Sequence, residues 1–192
     1  MARGQHASYD AGRVSVVKTI LSLVALVAAI AGLAFVFRQF VFAAFEIPSA
    51  SMEETIMTGD LVFTEKVSYS FTDVKRGDIV TFIDQEDNSD NPRMLIKRVI
   101  AIGGDKVDIH DGNVYINGVQ QVEDYTNGKR TYTSSSSSIT YPYLVPKGYV
   151  WVMGDNRSNS QDSRYFGAIP LTAVQGRALL VYWPINHFGL LN

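Results

Sequence analysis

Hydrophobic positions along the chain fall into two regimes that meet near Glu46. From Ile20 to Phe37 the residues are continuously apolar, with Ser22 the one polar residue and no charge. That length is close to the roughly 20 residues needed to cross a bilayer core. A buried helix of a soluble domain would show a polar face, and none is present in the run. After Arg38-Gln39 the chain is apolar again from Phe40 to Phe45, which predicts a longer, tilted helix. A cleaved secretory signal is the competing reading. Such signals have apolar cores of roughly 7–15 residues followed by small residues. Here the core is longer and Phe40, Val41 and Phe42 stand where small residues are expected, which favours a retained anchor.

Beyond Glu46 the pattern changes to short, β-branched and aromatic stretches divided by turn signals. Asp60–Thr64, Gly77–Ile83, Lys97–Ile102, Lys106–Ile109, Val114–Ile116, Tyr149–Met153 and Arg177–Trp183 read as strands. Asp111-Gly112 and Asn117-Gly118 are hairpin signals. The predicted fold class is therefore mostly β: an antiparallel β barrel or sandwich preceded by one N-terminal transmembrane helix. The expected organisation is an N-terminal segment 1–18, an anchor 19–42 and a β-rich domain 43–192. Asp84 to Asn91 is polar and acidic, and a Ser-rich loop at 127–140 contains Ser134 to Ser138. The latter is expected to be a mobile surface loop that cannot hold a nucleophile in attack geometry.

Charge assigns an orientation. Arg3, Arg13 and Lys18 precede the apolar run against one acid, Asp10, while Glu46, Glu53, Glu54 and Asp60 follow it with Arg38. The positive-inside rule puts the N-terminus in the cytoplasm and the β domain on the extracytoplasmic face of the cell membrane. A net charge of −2 gives no footprint for nucleic acid. There is no cysteine, so disulfides, thiolate metal sites and a cysteine nucleophile are excluded. His6, His110 and His187 are too scattered for a metal site, so no metal or cofactor is expected.

Three segments carry candidate chemistry. Phe45-Glu46-Ile47-Pro48-Ser49-Ala50-Ser51-Met52 sets two serines after a proline. With no cysteine and no well-placed histidine, a serine nucleophile needs another base. A lysine can serve when burial lowers its pKa from about 10.4. Lys97 lies in Met94-Leu95-Ile96-Lys97-Arg98-Val99-Ile100, where alternation puts Lys97 and Arg98 on opposite faces and one of them inward. Spacing alone favours the plainer reading, two solvated cations on an edge strand or an inward cation paired to an acid. The third segment, Gly154 to Gly167, is a dense polar run suited to a buried hydrogen-bonding scaffold.

Taken in order, the segments resemble bacterial type I signal peptidases, which are Ser-Lys serine proteases. That family has a Pro-Ser-x-Ser-Met box after a transmembrane helix, a Lys-Arg-Val strand leading to Gly-Asp-Lys, and Gly-Asp-Asn-Arg-x-Asn-Ser-x-Asp-Ser-Arg-Tyr-x-Gly. The resemblance implies Ser51 as nucleophile and Lys97 as general base. It implies an oxyanion hole from the Ser49 hydroxyl and the Ser51 amide, and a Ser160 hydroxyl orienting the lysine. A salt bridge between Asp162 and Arg164 is implied, with Asp155 and Arg157 shaping the same loop. Phe45, Ile47, Met52, Leu95 and Ile96 align with the family's substrate-pocket segments. The implied partners are exported preproteins, cut after small residues as they emerge from the secretion machinery, and the lipid bilayer. One departure stands out: the family box continues Met-x-Pro, and this chain has Glu54 in place of that proline. An inward Glu54 would raise the pKa of Lys97, and an outward one would change little.

Other readings weigh less. A membrane-anchored binding protein would leave Ser51 and Lys97 unused. A Ser-His-Asp hydrolase would need His110 with Asp108 or Asp111, which nothing in the sequence ties to a serine. A self-cleaving regulator would usually carry a DNA-binding domain.

Overall fold

The computed structural model describes residues 5–36, 42–84, 87, 89–90 and 92–191, in two units that divide between Val41 and Phe42. The first unit is one helix, α1 (Gln5–Val36). Its stretch Val16–Phe35, with mean hydropathy 2.4, is long and apolar enough to cross a membrane and is wholly exposed. The helix thus starts well before residue 19. The predicted continuation to Phe45 does not occur, because Phe42–Glu46 is the first strand, β1, paired antiparallel with β2 (Leu61–Glu65). A run of four apolar residues, Phe42–Phe45, has no helical period of its own, so a strand partner decides its conformation.

The second unit is antiparallel throughout, as predicted. Its further strands are β3 (Ile79–Ile83), β4 (Met94–Ile102), β5 (Lys106–His110), β6 (Asn113–Ile116) and β7 (Val119–Gln120). These are followed by β8 (Tyr143–Leu144), β9 (Tyr149–Met153), β10 (Ile169–Pro170), β11 (Val174–Trp183) and β12 (Gly189–Leu190). One sheet has the order β1-β2-β11-β3-β4-β9-β10, with β12 on β11, and the other the order β7-β6-β5-β8. A one-turn helix, α2 (Ser163–Phe166), precedes β10. The predicted turns are present: Asp111 and Gly112 have φ of 53° and 82°, and Asn117 and Gly118 repeat those values. Two consecutive positive φ angles are what a type I′ hairpin requires.

The sheets share a core in which Ile100 of β4 and Trp151 of β9 pack with Val107 of β5 and Val114 of β6. A second cluster joins Ile47, Met52 and Ile56 to Val62, Ile79 and Ile96, seating the segment after β1 on the large sheet. β4 lies between β3 and β9 and has no free edge. Both of its faces are also packed, Ile96 with Met52 and Val99 with Val152, so its residues Ile96 to Ala101 are all buried, and Lys97 and Arg98 are 3% and 2% exposed. One inward cation was expected; both are inward.

Segment 127–140 has no helix or strand, as anticipated, but it is tied down at several points. Thr131 is buried against Arg157, Tyr132 O accepts from Arg164, and Ile139 packs on the shared core.

Candidate active site

Residues 47–60 form a closed loop between β1 and β2. Ile47 N donates to Asp60 O at 2.9 Å, and Gly59 N donates to Ile47 O at 2.8 Å. Asp60 is buried; its carboxylate accepts from Met57 N at 2.8 Å and contacts His187 Nδ1 at 2.7 Å. Met52 and Ile56, both without exposure, fasten the loop to the core. Ser51 lies between these anchors, in a 3₁₀ turn Ala50–Met52, and is itself buried.

Lys97 reaches this turn from the middle of β4. Its Nζ is 2.7 Å from Ser51 Oγ and donates to Ile96 O at 2.9 Å. Burial pulls the Lys97 pKa down from 10.5 to about 8, against the opposing pull of Asp162, Asp155 and Asp84. Desolvation is the largest of these influences, and each of the carboxylates is itself paired with an arginine: Asp162 with Arg164, Asp155 with Arg98, and Asp84 with Arg93. The Ser49 hydroxyl lies 3.4 Å from Ser51 Oγ.

The polar run after β9 passes behind the pair. A Cβ on Gly154 would come within 2.3 Å of both Ser51 O and Ser160 Oγ, so only glycine fits where this backbone meets the serine turn. The expected Asp162–Arg164 bridge is present and two-pronged, at 2.9 Å for each bond. Asp162 also accepts from Gly154 N at 3.0 Å. Asp155 and Arg157 each bind a partner outside the loop, and Arg157 Nε also donates to Gly154 O within it at 3.1 Å. Asp155 binds Arg98 at 2.8 Å and accepts from Thr55 Oγ1 at 2.5 Å. Arg157 binds Glu123 at 2.6 and 2.7 Å. The Arg98 guanidinium also covers the Tyr125 ring at 4.1 Å, a cation–π contact. The expected bond from Ser160 to the lysine is not formed here: Ser160 Oγ is buried without a hydrogen-bond partner.

Of the predicted pocket residues, Ile47, Met52 and Ile96 belong to the core, whereas Phe45 and Leu95 are half-buried. Glu54 faces outward. It pairs with Lys129 Nζ at 2.9 Å and accepts from Asn127 Nδ2 at 3.1 Å, which hold its carboxyl below the usual range. Its φ is 88°, far from the −65° to which proline is locked, so the residue that departs from the family box also permits a turn that proline cannot make. His110 stacks on Tyr115 and contacts Asp111, and no described bond joins it to a serine. Among the described residues no cluster of His, Cys, Asp or Glu could hold a metal. Thr55, Glu123 and Asn156 went unpredicted; their roles come from partners distant in sequence.

The family model described as "Signal peptidase, peptidase S26" matches residues 19–183. A "Probable signal peptidase I-2" of Synechocystis sp. is 40% identical, over 81% of this chain and 69% of that protein. A "Signal peptidase I" of Leptolyngbya laminosa is 39% identical over 81% and 75%, and one of Bacillus caldolyticus 31% over 79% and 85%. With the family match spanning nearly the whole chain and these relatives aligned over most of their length, the chain belongs to the peptidase S26 family of signal peptidases.

Proposed function

We propose that this membrane-anchored serine endopeptidase removes signal peptides by acyl transfer, with Ser51 as nucleophile and Lys97 as general base. The observation that carries this reading is the 2.7 Å contact between Lys97 Nζ and Ser51 Oγ in a buried setting. One N–H of the amine is held by Ile96 O, which leaves its lone pair free to accept the serine proton once Lys97 is neutral. Ser51 Oγ then attacks the peptide carbonyl after the last signal residue. The Ser49 hydroxyl and Ser51 N–H stabilise the oxyanion, and losing one such donor typically costs about 10²–10³ in rate. Protonated Lys97 gives its proton to the leaving amine, and water, deprotonated by the same amine, hydrolyses the acyl-enzyme. Phe45 and Leu95 offer apolar walls to small side chains before the cut, backed by Ile47, Met52 and Ile96.

The substrates are exported preproteins emerging from the secretion machinery. Arg3, Arg13 and Lys18 keep the N-terminus in the cytoplasm, so catalysis takes place on the extracytoplasmic face. Tethering enzyme and substrate to one bilayer raises their effective concentration. Ser51→Ala and Lys97→Ala should each abolish processing of a preprotein by folded enzyme; normal processing by either variant sinks the dyad.

A further inference from the structure

Asn156 grips the serine turn from behind. Its backbone N–H donates to Ser51 O at 3.1 Å, and its side-chain Nδ2 donates to Ala50 O at 2.9 Å. Ala50 O and Ser51 N–H belong to one planar trans peptide, so fixing the carbonyl also fixes the direction in which the amide hydrogen points. A hydrogen bond to that carbonyl further polarises the amide as a donor. The Asn156 side chain is held in turn, because its Oδ1 accepts from Lys129 Nζ at 3.2 Å and from Ser158 Oγ at 3.3 Å, and the Lys129 ammonium is held by Glu54 at 2.9 Å. Glu54 stands three residues after Ser51, so the arm leaves the serine turn, crosses Lys129 and returns to it through Asn156.

We infer that Asn156 is a positioning residue for the oxyanion-binding amide of Ser51, and that the Glu54–Lys129 pair sets the orientation of its side chain. This rests on the proposed role of Ser51. Asn156 touches neither substrate nor the reacting oxygen; it acts through the Ala50–Ser51 peptide.

Asn156→Leu removes the side-chain donor at nearly constant volume. It should lower kcat at least about 10-fold, towards the loss expected for an oxyanion donor. KM and the acid limb of the pH–rate profile should stay unmoved, since neither Lys97 nor the pocket is altered. Affinity for a peptide aldehyde, whose hemiacetal with Ser51 carries the tetrahedral oxygen, should fall by a similar factor. Lys129→Met, at a half-exposed position, should lower kcat about 2- to 5-fold, and Lys129→Arg should restore it. A kcat within twofold of wild type for folded Asn156→Leu, or a rise in KM alone, overturns the role of Asn156. If that variant fails to fold, an unchanged kcat for Lys129→Met overturns the proposal. Ser51→Ala is measured beside them. If it retains activity, the assignment of the nucleophile is what fails; if it is dead while the Asn156 and Lys129 variants are normal, only the present inference does.

Discussion

Lys97 and Arg98 are neighbours on β4, equally buried, and their surroundings treat them in opposite ways. Arg98 is neutralised in place by Asp155 through two prongs, donates to Gly77 O and lies over Tyr125. Lys97 meets a serine hydroxyl and a backbone carbonyl, while the nearby carboxylates are bound to arginines. The difference teaches that burial alone does not make a reactive base. Burial must come with neutral partners, and the neighbouring acids must be occupied. Each arginine that takes up a carboxylate offsets a charge that raises the Lys97 pKa.

Breaking the neutralised side should have the largest effect on stability. Asp155→Asn leaves the Arg98 guanidinium buried without its countercharge, and removing one partner of such a pair costs about 3–5 kcal/mol. Chemical denaturation at pH 7 measures it; a loss below about 1 kcal/mol would mean that water or Tyr125 already compensates the charge.

Removing the other cation should act in the opposite direction. With a pKa lowered from 10.5 to about 8, Lys97 is charged in both folded and unfolded chains at pH 7, and folding bears the full cost of burying it. Lys97→Met should abolish activity yet gain up to about 3 kcal/mol of stability at pH 7. Between pH 8 and 10.5 the unfolded chain holds the proton that the folded one has released. Wild-type stability should therefore rise against the variant across that window, and the difference should vanish above it. The acid limb of kcat/KM should likewise climb to a plateau with a midpoint near pH 8. A midpoint near that of a free lysine would contradict the role of burial.

A finer test concerns the carboxylates. Asp84 raises the Lys97 pKa from a distance while bound to Arg93, so Asp84→Asn should move the acid limb to lower pH at unchanged plateau activity. An unmoved acid limb would show that its charge is not felt at the amine. The smallest expected change in stability is at the exposed pair. Glu54→Gln should leave the denaturation midpoint close to wild type, because solvent screens the Glu54–Lys129 bond. A loss comparable to that of Asp155→Asn would erase the contrast between buried and exposed pairs.

Much of this was legible along the chain. Strands β2 to β6, β9 and β11, the two hairpin turns and the order of the three chemical segments follow from local alternation, turn residues and motif. Phe42–Phe45 reads as a continuation of the helix because a short apolar run is equally at home in lipid and in a sheet, and pairing with β2 decided the matter. The burial of both Lys97 and Arg98 was also out of reach, since it depends on distant segments packing over both faces of β4. Asn156 read as one more residue of a polar run. Its grip on Ala50 spans 106 positions, and no local spacing announces a contact of that separation.

By itself the sequence determined the apolar helix, the antiparallel class of the domain that follows and the residues able to carry serine–lysine chemistry. Each depends on properties that a segment keeps in isolation: hydropathy, alternation, turn preference and side-chain type. Only the tertiary structure decided that Ser51 and Lys97 meet at 2.7 Å, that the acids around them are already claimed, and that Glu54 turns outward to Lys129. A pKa and a countercharge are properties of surroundings, and those surroundings are assembled from strands and loops up to about a hundred residues apart.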